Sequence, residues 1–126
     1  MSWPPTVGQT LPYAGSAFGI EEKLGAYCLN LAHEIGGPKA RGFERILGIR
    51  IEDVEYLAKA LRVGVLDAPI TDVRDNRPFG LLCEVRVPVP GLREHQNRIV
   101  GITTVWELRR AGESPRLVTA YIDRVP

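Results

Sequence analysis

Positions 33–43 bring together the residue types best suited to proton transfer and anion handling in this chain: His33, a bend at Gly36 and Gly37, then Pro38, Lys39, Ala40 and Arg41. An imidazole is the side chain that titrates near neutral pH, so His33 in a cleft could give or take a proton. Lys39 and Arg41 open a second helix, where the dipole disfavours cations; an anion bound there would offset that repulsion. Free amides around Gly37 would add to such a phosphate cradle. From Gly36 to Arg50 the cations Lys39, Arg41, Arg45 and Arg50 face one acid, Glu44, a local net charge of +3. Arg116, Thr119 and Tyr121 near the C-terminal end complete the candidate set. A cation and two hydroxyls there could orient a phosphate or donate a proton.

Strand alternation puts Leu117, Thr119 and Tyr121 on one side of that final segment and Arg116, Val118, Ala120 and Ile122 on the other. Arg116 at its start would then reach the same cleft over the sheet rim. His95 lies in the polar connection 91–97, which reads as an ordinary solvent-exposed loop.

These groups need a frame. From Ile20 the apolar residues Leu24, Tyr27, Cys28, Leu31 and Ile35 fall on one face at helical spacing, predicting a helix that ends at Gly36 and Gly37. Pro38 suits the first turn of a second helix, with Ala40, Phe43, Ile46 and Leu47 as its stripe and Gly48 as its stop. A third helix follows on Val54, Leu57, Ala58 and Leu61, up to Gly64. Beyond it the period changes to two, with Leu66, Ala68 and Ile70, then Leu81, Cys83, Val85, Val87 and Val89. Segments 99–108 and 117–122 are rich in β-branched and aromatic residues. Helices segregated ahead of strands predict an α+β domain: two or three N-terminal helices packed on one face of a roughly four-stranded antiparallel sheet.

The chain has 126 residues, 44% of them hydrophobic and 25% charged, which suits one domain with a self-sufficient core. Residues 1–10, with Pro4, Pro5 and Gly8, read as an extended arm, and residues 11–126 as the single domain. A net charge of +1 gives no global reason to expect nucleic acid, so any such binding must be local. Cys28 and Cys83 sit in apolar patterns without metal or redox spacing, which suits a reducing, cytoplasmic setting. The start of the chain has no basic segment followed by an apolar stretch, and no apolar run is long enough to span a membrane. Metalloprotease, nucleophile-elbow and dinucleotide signatures are missing, so neither a cofactor nor a metal is expected.

The order of several blocks carries a resemblance: Leu11, Pro12 and Ala14; Lys23 and Leu24; Tyr27, Cys28, Leu29 and Asn30; His33 and Gly36; Lys39, Ala40, Arg41 and Phe43; Trp106; and Pro115 through Tyr121. It resembles a family of small uncharacterised bacterial proteins. That family's helices-then-sheet plan is in turn similar to the toxin nuclease superfamily of barnase, EndoU, colicin D and RelE. The resemblance implies a metal-independent ribonuclease-like toxin of a toxin-antitoxin or polymorphic toxin system, acting on RNA. Its partner would be a small antitoxin or immunity-like protein. In that reading His33 moves a proton, Lys39, Arg41 and Arg116 hold the phosphate, and Thr119 and Tyr121 orient it. Gly37 and Pro38 stand where similar sequences tend to carry a basic residue and a histidine, leaving His33 as the nearby imidazole. The alternative is a non-catalytic protein-binding module that uses a sheet edge or the loop 91–97.

Overall fold

The computed structural model describes residues 3–123. Three helices in the N-terminal half pack against a four-stranded antiparallel sheet, an α+β arrangement. The helices are α1 (Ile20–Lys23), extended by a π-helical turn over Leu24–Cys28; α2 (Gly37–Gly42), extended likewise over Phe43–Leu47; and α3 (Val54–Gly64). The strands β1 (Ile70–Asp75), β2 (Leu81–Pro90), β3 (Ile99–Leu108) and β4 (Arg116–Ile122) lie in chain order across the sheet.

Register explains which face the helices cover. Cys83, Val85 and Val87 pair with Trp106, Thr104 and Ile102, so these alternate positions share one face and all are buried. Ile20, Leu24, Cys28, Phe43, Leu47, Leu57 and Leu61 join them in one core. The polar groups within it are satisfied in a relay: the Trp106 indole N–H donates to Thr104 Oγ1 at 2.8 Å, and that hydroxyl donates to the Val85 carbonyl at 2.6 Å.

Three sequence expectations need correction. The first helix stops at Cys28, not at Gly36. Asn30 diverts the backbone, its side-chain oxygen accepting from the Ala32 amide and its amide nitrogen donating to the Ala26 carbonyl, while Leu31 and Ile35 stay exposed. Leu66 and Ala68 do not belong to a strand. Their amides return to Val63 and Gly64 carbonyls as α3 unwinds, and β1 begins only at Ile70.

The third correction bears on the site. Trp106 pairs with Leu117 but Val105 with Thr119, so Val118 is an extra residue, a β-bulge. Alternation resets there. Leu117 and Ala120 both enter the core, whereas Arg116, Thr119 and Tyr121 pair with Glu107, Val105 and Thr103 on the opposite face. The arginine and the two hydroxyl residues therefore share a side.

The N-terminal segment is tied down. The Gly8 amide donates to the Ile70 carbonyl at 2.9 Å, the Ile70 amide donates to Gln9 at 2.8 Å, and Leu11 is buried. Positions 1–2 of the expected arm and 124–126 of the expected domain lie outside the described residues.

Candidate functional site

The site grows from the approach of α2 to β4. After Cys28 the chain turns back, so that a Cβ at Gly36 would collide with the Tyr27 carbonyl oxygen. Only glycine permits that approach, and it starts α2 close beside Tyr27. His33 organises the turn: its Nδ1 accepts the amides of Ile35 at 3.1 Å and Gly36 at 2.9 Å, and its carbonyl accepts the Gly37 amide at 2.8 Å. With Nδ1 an acceptor, the ring proton sits on Nε2. The ring also meets Tyr27 edge-on, with centroids 4.8 Å apart. The amides expected to cradle a phosphate near Gly37 are thus already spent within the turn.

One helical step further, Lys39 crosses to the closing strand. Its Nζ donates to Tyr27 Oη at 2.8 Å and to Thr119 Oγ1 at 2.9 Å. It also lies 4.7 Å from the Tyr27 ring centroid and 5.5 Å from that of Tyr121, both within cation–π range. An ammonium has three N–H donors, so one remains for another partner.

Lys39, Arg41, Arg45, Arg50, His95 and Tyr121 line a groove of about 1130 Å³. Among the described residues none of these four cations is in an ion pair. Glu44, Glu94 and Asp123 also line it, but Asp123 is engaged by Arg86 and by the Thr103 hydroxyl. With Glu44 and Glu94 set against four cations, the groove still presents a net positive charge beside an aromatic ring.

Lys39, Thr119 and Tyr121 come together, Arg41 joins them along the groove wall, and His33 stands behind Tyr27. Arg116 goes elsewhere. Its Nη2 pairs with Glu107 at 3.3 Å, and it lines a separate hollow of about 480 Å³ with Phe18, Gly19 and Lys23. No cluster of three or more His, Cys, Asp or Glu able to hold a metal occurs among the described residues.

The model of a domain of unknown function, DUF6883, matches residues 11–124, nearly the whole chain. The chain belongs to the DUF6883 family. No curated protein and no solved structure matches it. None of the helices described in this DUF6883 domain is long and apolar enough to cross a membrane.

Two residues gain a place at the site that sequence pattern does not announce, Tyr27 behind Lys39 and His95 on the groove wall. Tyr27 belongs to an apolar stripe, although a phenol at the edge of such a stripe carries a polar tip able to meet a lysine. His95 was read as part of a free loop, yet that loop is pinned: the Leu92 amide donates to Leu47 at 2.7 Å, and Arg93 grips both Asp53 and the Gly48 carbonyl. No local sequence signal announces those long-range bonds.

Proposed function

We propose that this DUF6883 domain is a metal-independent, ribonuclease-like toxin whose groove takes single-stranded RNA. The observation that carries the reading is Lys39, held by Tyr27 and Thr119 beside Tyr121 in a groove with three further unpaired cations. Such a groove suits a phosphate backbone, and an aromatic face beside it suits a stacked base.

In this reading the ribose 2′-hydroxyl attacks the adjacent phosphorus and the bond to the 5′-oxygen breaks, leaving a 2′,3′-cyclic phosphate and a 5′-hydroxyl. The free Lys39 N–H meets the charge that builds on a non-bridging oxygen, with Arg41 alongside. Thr119 aligns the ammonium. The Tyr121 hydroxyl, which makes no hydrogen bond among the described residues, gives its proton to the departing oxygen. His33 serves as a positioning residue, since its Nδ1 lone pair is spent on two backbone amides. Arg116 contributes from outside the groove, by fixing Glu107 under the bulge. The resemblance to the toxin nuclease superfamily supports the same chemistry, and a small antitoxin or immunity-like protein is the partner it suggests.

The test is cleavage of a labelled RNA oligonucleotide by purified protein in a chelator, with a 2′-deoxy copy as control. We expect the RNA alone to be cut, with a cyclic phosphate end. Lys39→Ala and Tyr121→Phe should each lower the rate by roughly a hundredfold or more. Absence of cleavage, or cleavage indifferent to both substitutions, overturns the reading.

A further inference from the structure

The proposed cleavage needs a group to take the proton from the 2′-hydroxyl, and the chain has only two histidines. His33 has its Nδ1 committed to the turn before α2. His95 differs on every count. It lines the groove with Lys39 and Tyr121, its side chain is 20% exposed, and its ring makes no hydrogen bond among the described residues. The nearest carboxylate to Nε2 is Glu94 at 3.8 Å, too far for a hydrogen bond. We infer that His95 is the catalytic base of the groove and that the Asp53–Arg93 clamp positions it; the inference rests on the ribonuclease reading above.

The clamp is built from three separate stretches of chain. Arg93, in a left-handed backbone conformation at φ 56°, donates through Nη1 to Asp53 Oδ2 at 2.9 Å and through Nη2 to Asp53 Oδ1 at 3.2 Å. The same Nη1 donates to the Gly48 carbonyl at 2.5 Å. Asp53 in turn accepts the Arg50 amide at 2.8 Å. A bidentate pair of this kind fixes direction as well as distance. It holds the turn Arg93–His95 against Gly48, where an added Cβ would press on both the Leu92 carbonyl and the His95 ring. The imidazole is thereby fixed at the groove wall although it comes from a connection between strands.

The step balances without any further reactant. A ring nitrogen of His95 takes the 2′-hydroxyl proton as the new oxygen–phosphorus bond forms, and the Tyr121 phenol protonates the 5′-oxygen as its bond to phosphorus breaks. The step leaves His95 protonated by the former 2′-hydroxyl proton and Tyr121 as a phenolate, and proton exchange with solvent restores both. The charged and titratable groups that share the groove with the imidazole are Glu94 on its own turn, Lys39, Arg41, Glu44 and Arg45 on α2 and its π-helical extension, Arg50 beyond them, and Tyr121 and Asp123 on the strand side, while Arg93 on the same turn is paired with Asp53.

The experiment is the pH profile of RNA cleavage for the wild type, His95→Gln, His95→Ala with added imidazole, and Asp53→Asn. Wild-type kcat should show an acid limb, rising with pH as a general base requires. His95→Gln should lose that limb and about a hundredfold or more in kcat, with KM changed only a few-fold. Imidazole should restore part of the His95→Ala rate. Asp53→Asn, which loosens the clamp, should lower kcat about tenfold while keeping the limb. A wild type that cuts RNA and a His95→Gln variant that retains the limb overturn the His95 assignment alone. A wild type with no cleavage overturns it together with the ribonuclease reading.

Discussion

The Lys39 ammonium donates to the Thr119 hydroxyl at 2.9 Å across eighty residues of sequence, joining the start of α2 to the closing strand. Because its other acceptor is the neutral Tyr27 oxygen, the contact orients the charge without cancelling it. Binding of an extended polyanion should depend on that charge. Lys39→Met is expected to weaken single-stranded RNA binding and to lower the slope of log affinity against log salt by about 0.7, the share of one single-strand phosphate contact. Thr119→Val should weaken binding while leaving that slope nearly unchanged. Fluorescence anisotropy titrations at several salt concentrations measure both.

Thr104 is the buried hinge of a relay from the Trp106 indole to the Val85 carbonyl. Valine matches its shape but leaves the indole N–H with no acceptor. Thr104→Val should therefore cost about 1–3 kcal/mol in urea unfolding. Equal stability of the two proteins would mean that the indole finds another partner.

Gly48 ends the π-helical turn with φ at 67°, and a side chain there would meet Leu92 and His95. The left-handed conformation alone costs an L-residue roughly 1–2 kcal/mol. Gly48→Ala should exceed that figure, because the crowding adds to it. It should also displace the turn Arg93–His95, visible as chemical-shift changes at the His95 ring.

Burial raises both thiols, pushing Cys83 up to about 11, with the charge of Asp72 adding to the effect. Cys28 is raised chiefly by burial as well, against the opposing pull of the Ala120 amide. Neither thiol should be alkylated by iodoacetamide in the native protein at pH 8, where thiolate is the reactive form. In denaturant both should label fully. Fast native labelling would show that the core opens.

The Asp53 carboxyl is held below the usual carboxylate range by the Arg93 guanidinium, with partial burial opposing. A lowered folded-state pKa contributes stability above the unfolded value, near 3.9, and that contribution vanishes as pH falls through the folded value. Asp53→Asn should thus melt below the wild type at pH 7, with the two curves converging as pH falls through the lowered folded value. A gap independent of pH would show that the carboxylate's charge does not matter.

Much of the fold was legible because the apolar period is strong where packing demands it. Leu57, Ala58 and Leu61 marked α3, and the run Cys83, Val85, Val87 and Val89 marked β2, each ending up in the core. The misreadings arose where a single polar or extra residue overrode the period. Asn30 stopped α1 by bonding its own neighbourhood, and Val118 reset the alternation of β4. The site followed the same division. Lys39, Thr119 and Tyr121 stood out by residue type, and the chain brings them together. Arg116 was separated from them by its pairing with Glu107, and the seat of His95 is made by Asp53, forty residues from Arg93. Pattern rules that act over one turn or one strand do not see such bonds.

Since Tyr121, Ile122 and Asp123 supply the strand side of the groove, a nascent polypeptide still lacking residues 116–123 leaves it incomplete. Whatever the finished groove binds or cuts, the ribosome making it would be exposed to that capacity only after the closing strand has emerged and zipped onto β3.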